Sequence, residues 1–119
     1  MRVATRSRRK PTMRPQPVAL HVLVHPEADR MLAHVLETDT VSEGETPDAA
    51  LRGVEDALQL ELQYDARERH ASSAFESSAP TAFWSALKSA RLSATAKLTL
   101  PALGEATLLA YRLDEAPRA

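Results

Sequence analysis

The sequence predicts an α+β fold: a small antiparallel sheet with one main helix packed on it, in the order β-β-β-α, then a short helix and a C-terminal β-hairpin. Three observations predict it. "VALHVLV" (Val18 to Val24) is rich in β-branched and aliphatic residues, and Val18, Leu20, Val22 and Val24 alternate onto one face. "TPDAALRGVEDALQL" switches to helical spacing, with Leu51, Val54, Leu58 and Leu62 on one stripe. "KLTL" and "TLLAYRL" flank "PALGEA", a turn with Pro101 and Gly104.

The elements follow in order. After the first strand, "HPEADR" reads as a polar six-residue loop, because Pro26 disfavours a regular continuation. Met31 to Glu37 is the second strand of an antiparallel hairpin, with Val24 opposite Met31 and Leu23 opposite Leu32. A short third strand, roughly Thr40 to Glu43, ends at Gly44, where a bulge or a positive-φ turn is expected. Thr46 caps the main helix, and Pro47 takes the first helical position, where its missing N–H costs nothing. Asp48 lies in the first turn, at the positive end of the helix dipole. Gly53 inside the helix costs about 1 kcal/mol relative to alanine. It predicts close approach of the helix to the sheet. The helix extends to about Arg69, and residues 71–81 form a small-residue linker. Thr81 caps a second helix, Ala82 to Ala90, carrying Phe83 and Trp84. Both helices are expected on one sheet face.

The chain of 119 residues suits one domain, 18–119, preceded by an arm, 1–17. Within that domain, 18–70 form the strand–helix unit, 71–81 the linker, and 82–119 the short helix and hairpin. The net charge of -1 hides an asymmetry. Arg2, Arg6, Arg8, Arg9, Lys10 and Arg14 stand in the arm without an acid, so the other nine basic residues face all 16 acids. A basic arm on an acidic body concerns partners, not fold. Arg6, Arg8, Arg9, Lys10 and Arg14 are candidates for nucleic-acid contact, or for clamping onto the acidic body. A start at Met13 would remove most of them. With no cysteine there is no disulfide framework and no thiol nucleophile. No apolar run is long enough to span a membrane, and a cytoplasmic, cofactor-free protein is expected.

"VLVHPEADRMLAHVLETDTVSEGETPDAALRGVEDALQL" resembles the N-terminal domain of HicB-like antitoxins. That family shows two strands and then a segment of the type G-(D/E)-T-x-x-E-A-x-x-(N)-x-x-E-A-(L). Gly44, Glu45, Thr46, Asp48, Ala50, Asp56, Ala57 and Leu58 stand on or near it. The likeness covers roughly residues 18–62. Ala49 stands where the family usually has glutamate and Gly53 where it often has asparagine. Residues 71–119 match neither a helix-turn-helix nor a ribbon-helix-helix module. The resemblance implies a reduced RNase H-like fold without catalytic carboxylates, and a non-enzymatic job: covering the active site of a small RNA-cleaving HicA-like toxin. An acidic body suits a basic partner. Glu37, Asp39, Glu43, Glu45 and Trp84 are the candidate partner-binding residues, and open sheet edges allow a homodimer.

Chemistry is sparse in this sequence. The expected hairpin register sets His21 directly opposite His34, which makes them candidate metal ligands. A solvent-facing polar pair is the alternative. The acids from Glu37 to Glu45 read as a solvated edge. Phe83 and Trp84 serve as core residues or, where exposed, as an anchor for a partner.

Overall fold

A computed structural model of the chain describes residues 18–67, 75, 77–101 and 103–117. The basic arm, His70 and residues 71–74 and 76 of the linker lie outside the described residues. The elements are β1 (Val18–Glu27), β2 (Arg30–Val35), β3 (Thr40–Gly44), α1 (Pro47–Arg67), α2 (Thr81–Ala86) with a 3-10 turn (Leu87–Ser89), β4 (Arg91–Leu100) and β5 (Gly104–Arg112). The five strands form one sheet in the order β3-β2-β1-β5-β4.

The predicted all-antiparallel sheet is corrected: β1 and β5 pair in parallel, Val18 beside Ala106 through Val24 beside Arg112, so the sheet is mixed. The reason lies in β1. Leu20, Val22, Leu23 and Val24 are all buried, so this strand needs cover on both faces and a neighbour on both edges. β2 takes one edge, and the apolar second strand of the C-terminal hairpin takes the other. The more polar β4 is left outermost; it starts at Arg91, six residues before the predicted Lys97, while β5 runs Gly104–Arg112 where Thr107–Leu113 was predicted.

The first hairpin is also tighter than expected. β1 runs through Pro26 to Glu27, and a two-residue turn, Ala28–Asp29, leads into β2. Ala28 takes φ 56° to make it. Pro26 is tolerated because of where it falls in the ladder. The Leu36 N–H donates to the His21 carbonyl, so odd-numbered residues of β1 turn their main-chain groups toward β2. Even-numbered ones turn the other way, where β5 pairing has ended at Val24. The N–H that Pro26 lacks would have met no ladder partner. The register becomes Val24 opposite Ala33 and Leu23 opposite His34, two residues from the predicted one.

Helix α1 lies across one face of the sheet and buries Ala50, Val54, Leu58 and Leu62 against Leu20, Val22, Val24, Ala33, Val35 and Leu108. Each large side chain of that stripe contributes about 1.5–3 kcal/mol by leaving water. The Thr46 cap is present: its Oγ accepts from the Ala49 N–H at 3.1 Å. Neither predicted role of a turn glycine applies to Gly44, whose φ is not positive. It sits where the helix start touches β3; a Cβ there would lie 2.5 Å from the Ala50 nitrogen. Gly53 does lie against the sheet, as expected, facing the Ser42 hydroxyl. A polar chain ties helix to sheet, with the Thr40 hydroxyl donating to Glu61 Oε1 at 2.6 Å and lying 2.7 Å from the Thr38 hydroxyl.

The expectation of both helices on one face is corrected as well. α2 packs on the opposite face, where Leu23, Leu36 and Ala79 gather Phe83, Trp84, Leu87, Tyr111 and Leu113. Thr81 is its first residue and makes no side-chain cap; Pro80 stands at the N-cap. The cause of the split is the doubly apolar β1: Leu23 would be left bare if both helices covered Leu20, Val22 and Val24. No helix among the described residues is long and apolar enough to cross a membrane.

Candidate functional site

The face beneath α2 carries the histidines. Alternation along β1 places His21, Leu23 and His25 there together. Cross-strand partners share a face, so β2 adds Leu32 and His34, and β3 adds Val41 opposite His34 and Glu43 opposite Leu32. On the other side of β1, Tyr111 of β5 stands beside Leu23.

Each of two imidazoles is held by a carboxylate from the turn after β2. His21 Nδ1 lies 2.6 Å from Glu37 Oε2, and the His21 main-chain N–H donates to Glu37 Oε1 at 2.8 Å. This two-point grip fixes both the ring and the strand edge. The His21 ring stacks on Tyr111 at 6.1 Å and meets the Trp84 ring edge-on at 5.9 Å. His34 Nε2 lies 2.6 Å from Asp39 Oδ1, and the ring packs edge-on against Phe83 at 4.8 Å. Asp39 occupies the left-handed region at φ 56°, a conformation that aspartate tolerates better than most residues. An ionised carboxylate only accepts, so the gripped nitrogen carries the hydrogen in each ring. The third imidazole, His25, places Nδ1 3.0 Å from the Pro26 carbonyl and 3.9 Å from Glu27 Oε1.

A cavity of about 470 Å³ opens between this face and α2. His25, His34 and Leu32 line it from the sheet, Phe83 and Pro80 from the helix side, and Glu27, Asp39 and Val41 from its margin.

The residues predicted for a partner are thus only partly free. Glu37 and Asp39 are committed to His21 and His34. Glu43 reaches Arg30 Nε at 3.4 Å on the surface, and Glu45 is exposed just beyond β3. Trp84 is half-buried over His21, and its indole N–H donates to the Ser78 hydroxyl at 3.0 Å. The candidates Arg6, Arg8, Arg9, Lys10 and Arg14 lie outside the described residues.

The weak metal candidates are reorganised. The two-residue register shift keeps His21 and His34 on one face but moves them to a diagonal, because an even shift preserves side-chain direction. Each then finds its own carboxylate. Among the described residues, no three His, Asp or Glu side chains gather as a metal-binding group. Sequence reasoning missed the role of His25, although its alternation with His21 already put both on one side of β1. It also missed the cavity, because α2 was placed on the wrong face.

No protein-family model, no curated protein and no solved structure matches this chain. The geometry of the histidine face therefore stands by itself.

Proposed function

We propose that this chain is a non-enzymatic, protein-binding module of the HicB-like antitoxin kind, which covers a small RNA-cleaving partner. The observation that carries this reading is the β3 margin of the histidine face. Val41 is 45% exposed there; Glu43, paired with Arg30, lies two residues along the strand, Asp39 and Glu45 lie just beyond the ends of β3, and Glu27 is exposed across the sheet. An apolar centre with an acidic rim suits a basic protein surface, since opposite potentials speed encounter and fix register. β3 is also an outer strand, with one row of main-chain groups outside the ladder, to which a partner strand can add. The carboxylates gripping His21 and His34 are on this reading structural: they hold the turn that presents the margin. β4 is the other outer strand and the place where a second copy would pair in a homodimer.

The test is co-expression with the products of the adjacent genes, followed by an RNA-cleavage assay on the purified partner. Addition of this protein should suppress cleavage at a one-to-one ratio. Glu43→Lys with Glu45→Lys should slow association several-fold, with the difference shrinking at high salt. Cleavage that continues in the presence of excess protein, or neighbours that encode no small basic protein, would reject the reading.

A further inference from the structure

Two residues that line the cavity beneath α2, His25 and His34, each carry a buried nitrogen that is closed to solvent and has no partner. His25 is 1% exposed and His34 3% exposed, and both rings line the cavity. His25 Nε2 and His34 Nδ1 each meet no hydrogen-bonding atom. Buried polar atoms are paired in the great majority of cases, and a lone one costs about 1–3 kcal/mol. Two such atoms on adjacent strands, both on residues bordering one cavity, call for a reason beyond folding.

Their chemistry follows from their neighbours. The Pro26 carbonyl beside His25 Nδ1 can only accept, so in the neutral ring Nδ1 carries the hydrogen and Nε2 is a bare lone pair. The Asp39 carboxylate beside His34 Nε2 accepts, so in the neutral ring Nε2 carries the hydrogen and Nδ1 is the bare lone pair. Both unpartnered atoms are therefore acceptors. The other polar groups of the cavity, Glu27 and Asp39, bear carboxylates and also accept. Its remaining walls are apolar, and Phe83 offers an aromatic ring. Such a site rejects anions, which bring no hydrogen. It matches a group that is all donors, positively charged and carried on an apolar stem.

We propose that this cavity is a binding site for a guanidinium or primary ammonium group. The donors would satisfy His25 Nε2 and His34 Nδ1, Asp39 and Glu27 would balance the charge, and Phe83 would contribute a cation–π contact. Both nitrogens are closed to solvent, so binding requires the site to open, with the half-buried Phe83 ring, edge-on over His34, turning aside. The site shares Glu27, Asp39 and Val41 with the proposed partner surface but does not depend on that reading: it would take such a group as a free amine or as an arginine or lysine side chain of any protein.

The experiment is a titration of the full-length, ¹⁵N-labelled protein, observed through the imidazole nitrogens. The probes are methylguanidinium chloride, n-butylammonium chloride and a capped Gly-Arg-Gly peptide at constant ionic strength. Sodium acetate and zinc chloride form separate arms. The expected result is a saturable shift of His25 Nε2 and His34 Nδ1 with either cation, while acetate shifts neither. Glu27→Gln, at an exposed position, should weaken binding roughly 3–10-fold without affecting the fold. Tighter binding of the peptide than of methylguanidinium would assign the site to a protein side chain; equal binding would assign it to a free small cation. No saturable shift up to about 100 mM cation, or shifts produced by zinc alone, would overturn the proposal.

Discussion

Replacing Gly44 with alanine should be among the most damaging single-methyl changes available in this chain. The added Cβ would lie 2.5 Å from the Ala50 nitrogen, 2.8 Å from the Ala49 carbonyl carbon and 2.9 Å from the Ala49 Cβ. Two of those three atoms are main chain, so no rotamer change relieves the clash. The start of α1 must move away from β3. Overpacking of this kind costs about 1–3 kcal/mol. Displacing the helix start also strains the Thr46 cap, worth about 1 kcal/mol. Lower entropy of the unfolded chain returns about 0.4–1 kcal/mol. The net is a loss of about 2 kcal/mol, or a fall in Tm of roughly 8–16 °C for a domain of this size. Urea denaturation followed by far-UV circular dichroism measures it. Gly53→Ala is the internal control. Its Cβ meets chiefly the Ser42 hydroxyl, which can rotate, and alanine gains about 1 kcal/mol of helix propensity. It should therefore stay within about 1 kcal/mol of the parent. A Gly44→Ala protein within about 0.5 kcal/mol of the parent would refute the claim that helix and strand touch through main chain here.

Further outcomes are expected elsewhere. Ala28→Gly should stabilise the protein by up to about 1 kcal/mol, because glycine adopts φ 56° without the steric cost that alanine bears; an unchanged urea midpoint would argue against a strained turn. Thr40→Val keeps the side-chain shape but strands the Thr38 hydroxyl and Glu61, and should cost about 1–3 kcal/mol in the same assay. Partial burial, with repulsion from Asp56, raises the Glu55 carboxyl above its ordinary value, while Arg52 pulls the other way. The folded chain then holds that proton more tightly than the unfolded one, so ionisation of Glu55 costs stability at neutral pH and the cost is relieved as pH falls. Glu55→Gln should accordingly raise the urea midpoint slightly at pH 7, and the gain should vanish below about pH 4.5.

The sequence was most legible where one physical rule governed a segment alone. The alternation of β1, the cap at Thr46, the stripe from Val54 to Leu62 and the close approach at Gly53 all follow from periodicity and sterics within a few residues. What could not be read depended on distant chain. Whether Pro26 interrupts β1 is decided by where β5 ends, more than eighty residues later. The side taken by α2 is decided by Leu23, which looks like any other residue of an apolar run until both neighbours of β1 are known. The tight turn at Ala28–Asp29 carries no Asn-Gly or glycine signature, so a six-residue loop was the natural expectation. For the site, the right residue types were legible and their partners were not. Glu37 and Asp39 read as a solvated edge because nothing local shows that a two-residue slip brings each to a separate imidazole.

The pairing of Val18 with Ala106 has a consequence for the life of the chain. A ribosome releases the first strand, the hairpin and the long helix well before the final strand emerges. During that interval one border of the most water-averse ribbon stays bare, open to any passing extended peptide. The N-terminal half thus cannot be detached as a self-sufficient piece, and a stop codon after residue 67 would yield a sticky fragment rather than a smaller working protein.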